Sequence, residues 1–188
     1  MPRRRFIFDP PDRFVTGTVG EPGSRTFFLQ ARDGGRVVSV VLEKVQVAVL
    51  ADRLEQLLDE LERRGITESA PQPPADVEPL DEPIVEAFRA GTLTLGWDGD
   101  AERILVEARA QADDDEEAEE DEEIDLLNDD REDGPDILRV RLTAHAARGF
   151  VERAVRIVSS GRPPCPLCGQ PLDPIGHICP RRNGHYVN

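Results

Sequence analysis

The sequence predicts an α+β fold made of two similar β-β-β-α units with antiparallel sheets, followed by a short tail that contains all the cysteines. Three observations support this prediction. Apolar and polar residues alternate in short segments within residues 1–42 and again within 90–142, which is typical of half-buried strands. Each set of strands precedes a segment whose apolar residues recur every three or four positions, which indicates an amphipathic helix. The last strand and the helix of the two sets match at an offset of 100 residues, so that Arg153 corresponds to Arg53.

The first unit, residues 1–65, is predicted to contain short strands separated by turn residues and then one helix. The predicted strands are Arg4 to Phe8, Phe14 to Val19, Thr26 to Ala31 and Val37 to Leu42. The sequence Asp33-Gly34-Gly35 predicts a tight hairpin, because primed turns need positive φ angles, which glycine adopts without strain. A helix is expected to follow from Val47 and to end at Gly65, since glycine commonly terminates helices.

Residues 66–83 are rich in proline and predict an extended connector. The second unit, residues 84–160, is predicted to contain strands at Ala90 to Leu95, Arg103 to Arg109 and Ile137 to Leu142, and a helix from about Ala144 to Ser159. We interpret the two units as an internal repeat packed around a pseudo-two-fold axis, because small sheets with open edges gain by pairing. The alternative is that strands joined by glycine turns look self-similar in any protein.

The charge of the chain is concentrated in one segment. The formal net charge is -15, and residues 112–135 alone hold 15 acidic residues and one arginine. A block of like charge repels itself, which predicts a disordered acidic loop inserted between two neighbouring strands. Within it, Ile124, Leu126 and Leu127 form an apolar patch that suits docking to a basic, grooved protein partner. The alternative is a solvating loop without a partner.

The sequence contains no apolar run of about 18 residues, which excludes a membrane-spanning helix. The N-terminus also lacks the apolar stretch of a secretory signal. A cytoplasmic location is therefore expected.

The tail, residues 161–188, carries the clearest chemistry. Cys165 and Cys168 lie in a C-P-x-C-G turn, which directs two thiolates at one point, as tetrahedral zinc requires. Cys179 supplies a third thiolate, and disulfide pairing of three cysteines would leave one over. The fourth ligand is predicted to be His177, which alternates with Cys179 on an extended segment, and His185 is the alternative. Such a closed set of ligands predicts a structural zinc ion that supplies the folding energy of the tail.

Three motifs spread over the chain are specific enough to indicate a protein family. They are the opening R-R-R-F-I-F-D-P-P-D-R-F-V-T-G-T-V-G, the hairpin G-S-R-T-F-F-L-Q-A-R and the closing R-P-P-C-P-L-C-G…G-H-I-C-P-R-x-N-G. The chain resembles an uncharacterised family of conserved actinobacterial proteins, and the resemblance implies no assigned activity. It implies a histidine at the position of His177 and commonly an aromatic residue at that of His185, which supports His177 as the ligand.

The sequence predicts no catalytic residue. It lacks a nucleophile elbow, a P-loop and a dinucleotide fingerprint, and zinc would occupy every thiol. We therefore expect a non-catalytic adaptor or regulatory module that binds a protein partner. The alternative is a phosphate-binding or phosphoryl-handling protein with a basic cleft between the two units. The candidate residues for that cleft are Arg53, Arg153, Arg139, Arg141 and His145.

Nucleic acid is not an expected partner. The tail and the segment Arg3 to Arg5 are basic, but affinity for nucleic acid comes largely from neutralising phosphates. The acidic segment would compete with phosphates for the same arginines.

Overall fold

The computed structural model describes residues 3–21, 23–67, 73–111, 133–161, 165–168 and 179. In these residues, seven strands form one mixed sheet and two helices pack against it. The strands are β1 (Arg5–Phe8), β2 (Arg13–Val19), β3 (Thr26–Asp33), β4 (Arg36–Leu42), β5 (Glu86–Asp98), β6 (Arg103–Ala110) and β7 (Ile137–Leu142). The helices are α1 (Lys44–Arg63) and α2 (Ala144–Ser159). The predicted α+β class is therefore confirmed.

The sheet joins both predicted units, in the strand order β1-β7-β6-β5-β4-β3-β2. Strands β2 to β4 pair antiparallel within the first unit, and β5 to β7 do so within the second. At the junction β4 pairs with β5 in parallel, and β1 pairs in parallel with β7. A two-fold axis would place equivalent strands of the two units side by side. The predicted pseudo-two-fold arrangement is therefore wrong, because the last strand of the first unit lies beside the first strand of the second.

Helix α1 begins three residues before the predicted start at Val47. The backbone N–H of Glu43 donates a hydrogen bond of 2.8 Å to Oε1 of Gln46, which caps the first turn and extends the helix backward. The predicted end is confirmed: Gly65 has a φ of +69° and its N–H donates to the carbonyl of Glu62 at 2.9 Å. In the part of the chain that the structure describes, no helix combines the length and apolar character needed to cross a lipid bilayer.

Strand β5 changes its pairing partner along its length. Its first residues, Glu86 to Arg89, pair with β4, and residues from Ala90 to Asp98 pair with β6. A bulge between Ala90 and Thr92 marks the change. The sequence predicts only Ala90 to Leu95 as a strand, because the first residues of β5 have no alternating pattern.

The main core lies between one face of the sheet and the two helices. Phe14 of β2 stacks on Phe150 of α2, with ring centroids 4.9 Å apart. From α1, Leu54 and Leu58 are fully buried in the same cluster. Burial of each such side chain contributes about 1.5–3 kcal/mol relative to exposure. The apolar faces of the two helices therefore hold both units over one shared core.

The proline-rich connector covers the opposite face of the first unit. Residues 73–85 contain no helix or strand, as predicted. Leu80 is buried there against Val15, Phe28 and Val41. A Cβ atom at Gly17 would lie 2.5 Å from Cγ of Leu80, so the connector approaches the sheet closely only because position 17 has no side chain. The connector therefore completes a second, smaller core.

Two carboxylates of the connector bind arginines of the fold. Asp76 accepts hydrogen bonds from Nε of Arg13 at 2.8 Å and from Nη1 of Arg153 at 2.6 Å. Asp81 accepts from Nη1 of Arg13 at 2.9 Å and from Nη1 of Arg32 at 2.6 Å. The Arg153 side chain is only 5% exposed, and its Nε also donates to the carbonyl of Thr16. These contacts fasten the connector to β2 and α2.

Replacement of Asp76 by alanine is expected to lower the free energy of unfolding by about 2 kcal/mol, because two largely buried arginines lose a charged hydrogen-bond partner. Urea denaturation measures this change. The control is Asp52→Ala, which removes an exposed carboxylate bonded to Gln56 and should cost less than about 0.5 kcal/mol. Equal losses in both variants would contradict the role of Asp76.

The cost of the Asp76→Ala change should also depend on pH. The hydrogen bond from Arg13 holds the pKa of Asp76 below its ordinary value. A carboxyl group with a lowered pKa stabilises the fold above its unfolded pKa, and that contribution is lost as the pH falls through the folded pKa. The stability difference between the two proteins should thus be full at pH 7 and shrink below about pH 4. A difference that stays constant down to pH 2 would argue against this account.

Candidate metal centre

The thiols of three cysteines converge beyond the end of α2. The Sγ atoms of Cys165, Cys168 and Cys179 all lie within 4.8 Å of one another. Cys165 and Cys179 are buried and Cys168 is half-buried, and none of the three forms a disulfide bond. The three cysteines predicted as ligands are thus brought together, although 14 positions separate the first from the last.

The spacing of these sulfur atoms fits a shared metal ion. The Sγ atoms of Cys165 and Cys179 are 3.9 Å apart. A disulfide bond would require about 2.05 Å. Two thiolates on one tetrahedral zinc ion, each at about 2.3 Å from the metal, are about 3.8 Å apart. The donor set and its geometry therefore suit a thiophilic metal.

The turn between the first two cysteines favours the metal-binding form of Cys165. The backbone N–H groups of Cys168 and Leu167 donate to its sulfur and hold the pKa of the thiol below its ordinary value. The thiolate, rather than the thiol, is the metal ligand. This turn therefore both places the sulfur and stabilises its charge.

The two candidates for the fourth ligand, His177 and His185, lie outside the described residues and stay predictions. Among the residues that are described, the cluster consists of the three thiols, with no histidine or carboxylate within the same reach.

The equivalent arginines of the two helices have different environments. Arg53 is exposed on α1, and its Nη1 lies 3.4 Å from Oε1 of Gln56. Arg153 is buried in α2 and bound to Asp76. His145 is exposed in the first turn of α2. The structure does not bring these three residues into one cleft.

The arginines of β7 are already paired with carboxylates. Arg139 is buried and its Nε donates to Glu107 at 2.7 Å, and Nη1 of Arg141 donates to Asp9 at 3.0 Å. The fully buried Glu107 also accepts from Nε of Arg109 at 2.8 Å. The sequence analysis did not single out Glu107, although a glutamate between apolar residues of a strand is a signal for such a pair. The predicted apolar patch at Ile124, Leu126 and Leu127 lies outside the described residues.

Comparison with protein-family models identifies the family to which this chain belongs. A family model described as "Protein of unknown function (DUF3090)" matches residues 6–179, which extend from β1 to the third cysteine. The chain belongs to the DUF3090 family. The resemblance of the sequence to an uncharacterised family is thereby confirmed. Comparisons of this DUF3090 protein with curated proteins and with solved structures find no match.

Purified protein is expected to contain one equivalent of zinc, since three thiolates and one further ligand complete a tetrahedral shell. Elemental analysis of the full chain measures it. Cys165→Ser and Cys179→Ser should lower the zinc content to near zero, whereas Ser159→Ala, a control in the last turn of α2, should retain the full equivalent. Metal-free protein with three thiols that react freely would refute the site.

The same analysis identifies the fourth ligand. His177→Ala is expected to lose zinc on dialysis against a chelator, and His185→Ala is expected to retain it. The opposite pattern would make His185 the ligand and leave the three-cysteine centre in place.

Proposed function

We propose that this DUF3090 protein is a cytoplasmic zinc-binding protein that acts, without catalytic activity of its own, as an adaptor or regulatory module for a protein partner. The observation that carries the proposal is the convergence of Cys165, Cys168 and Cys179 on one point, with sulfur spacing suited to a tetrahedral metal ion. A histidine from the tail completes this shell and leaves no vacant position for a substrate.

Zinc has a structural role in this proposal. The tail is rich in proline and offers little apolar surface, so it gains its folding energy from the metal. Structural zinc sites in small peptides contribute about 10–16 kcal/mol of apparent binding free energy at neutral pH. Removal of the metal therefore unfolds the tail and leaves the sheet and its two helices intact.

The acidic segment is the proposed point of contact with the partner. It leaves the fold after β6 and returns before β7, and these two strands pair directly with one another. Residues 112–135 hold 15 acidic residues and one arginine, so their partner carries a basic surface. The apolar residues Ile124, Leu126 and Leu127 supply the contacts that make such an association specific.

Phosphate binding, the alternative from the sequence, gains no support from the described residues. Three of its arginines, Arg139, Arg141 and Arg153, are each bound to a carboxylate. A phosphate would have to displace these partners. The adaptor role is therefore the function that we retain.

We also propose that the two units are an internal repeat arranged in tandem. The order of three antiparallel strands followed by a helix occurs twice, which supports a common origin. The shared offset of 100 residues between the last strands and between the helices of the two units points the same way.

The adaptor role is tested by replacing residues 112–135 with a Gly-Gly turn, as in the hairpin of the first unit. The variant is expected to keep its zinc content and its thermal midpoint within a few degrees, because the segment links two adjacent strands. Cross-linked affinity purification should recover a basic partner with the full chain and lose it with the variant. The matched control replaces Ile124, Leu126 and Leu127 by serine, which retains the charge and should weaken capture. Identical partner sets from the full chain and the deletion variant would defeat the proposal.

A further inference from the structure

Strand β5 leaves one backbone edge open over its second half. Strand β4 ends at Leu42, where the chain turns into α1, so its pairing with β5 stops at Arg89. From Gly91 to Asp98, β5 pairs with β6 alone among the described strands. In an antiparallel pair every second residue directs its N–H and C=O groups away from its partner. These groups therefore point to a side on which no described strand lies.

The open edge is accessible. Every residue of β5 from Gly91 to Asp98 is half-buried or exposed, whereas the neighbouring β6 is buried over its middle residues. At the start of the edge, Nε2 of Gln46 donates to the carbonyl of Gly91 at 3.0 Å. This bond ties the first turn of α1 to the bulge of β5 and keeps the helix beside the edge.

A groove of about 350 Å³ separates α1 from this edge. Its walls carry apolar side chains, which are Val45, Val49 and Leu50 on the helix and Leu93 and Leu95 on the strand. Val45 and Val49 are 66% and 53% exposed, although they are large apolar residues. A groove between a helix and an open strand edge is the geometry in which proteins bind extended peptides by strand addition. The main chain of the peptide then pairs with the edge, and alternate side chains enter the groove.

The charge of the groove selects its occupant. Arg53 is the last α1 residue that lines it, and none of the lining residues is acidic. Among the described residues Arg53 forms no ion pair, and Gln56 is its hydrogen-bond partner. A groove with a positive charge stands out in a chain whose net charge is -15. A carboxylate of the bound peptide would pair with this guanidinium in a charge-assisted hydrogen bond.

From these observations we propose that the groove between α1 and β5 binds an extended peptide segment of a partner protein, in which the alternate positions that face the groove carry apolar residues and one acidic residue. The peptide adds as a strand to the open edge of β5, places its apolar side chains against Val45, Val49 and Leu93, and pairs a carboxylate with Arg53. This inference deepens the proposed protein-binding function and rests on it. It assigns that function a second surface, which is opposite in charge to the acidic segment.

The test uses the full-length, zinc-loaded protein labelled with ¹⁵N. The probe is a pool of blocked peptides, each eight residues long to match the open edge from Gly91 to Asp98. Of the four alternate positions that face the groove, one carries Asp or Glu and three carry Val, Ile, Leu or Phe, and Ser or Thr stands between them. Strand addition should slow the hydrogen exchange of alternate amides within the edge and shift their NMR signals. A pool methylated on alternate backbone nitrogens should not bind, because it cannot pair with a strand.

The charge of the peptide is tested with two variants of α1. Arg53→Glu should weaken binding of the acidic pool by about tenfold or more, the loss of one charge-assisted hydrogen bond. Arg63→Glu is the matched control, since Arg63 is exposed on the same helix outside the groove, and it should bind as the wild type does. A pool with lysine in place of the acids should bind more weakly than the acidic pool.

Three results would overturn the inference. The first is that no NMR signal of β5 changes at saturating peptide. The second is that the methylated pool binds as tightly as the unmethylated pool. The third is that a second copy of the chain covers the edge, seen as dimers that dissociate when Arg53 is replaced by Glu. Measuring the zinc content of the same sample shows whether only the peptide-binding inference fails or the proposed function fails as well. Protein that holds one equivalent of zinc and captures a partner through its acidic segment, yet ignores the peptides, defeats the groove alone.

Discussion

The parallel pairing of β4 with β5 is the constraint on which the rest of the fold depends. The antiparallel strands β2 to β4 join the antiparallel strands β5 to β7 through this contact, which spans Ser39 to Val41 on one side and Glu86 to Arg89 on the other. Parallel neighbours cannot be joined by a tight turn and need a crossover of a dozen or more residues. The chain provides α1 and the connector for this purpose. The helix covers one face of the first unit and the connector covers the other.

The pairing of β4 with β5 is short, and this affects the structure on both sides of the contact. Because β4 stops and becomes α1, the second half of β5 has an edge beside the helix with which no other described strand pairs. Because the connector must return to the start of β5, it crosses the face of β2 to β4 and brings Asp76 and Asp81 to their arginines. The crossover from β4 to β5 thus creates both the groove beside α1 and the ion pairs that hold the connector against the sheet.

The cysteine cluster has a different physical basis. It follows α2, where the chain has left the shared core, and it collects buried thiols rather than large apolar side chains. Two backbone N–H groups of the turn, those of Cys168 and Leu167, hold the pKa of the Cys165 thiol below its ordinary value. In the sequence, the acidic segment connects β6 with β7, two strands that pair directly with one another.

The sequence by itself determined the local elements and the three cysteines of the candidate metal site. Periodicity indicates most strands and both helices, glycine marks the hairpin at Gly34 and the helix end at Gly65, and spacing identifies Cys165, Cys168 and Cys179. These features depend on residues close together along the chain, where the φ preference of glycine and the alternation of a strand act directly. The predicted start of α1 is three residues late, because its capping box uses Glu43, which is not one of the residue types that usually precede a helix.

Tertiary structure alone decided the strand order, the position of β5 beside β4, the pairing of the arginines and the part of β5 that no other described strand covers. An apolar pattern states which face of a strand is buried, and it does not state which strand lies beside it. Arg13 and Arg153 meet Asp76 across 63 and 77 positions of sequence, and nothing local distinguishes them from exposed arginines such as Arg53. Such contacts exist only after the crossover has closed, because only then are the partners within hydrogen-bond distance.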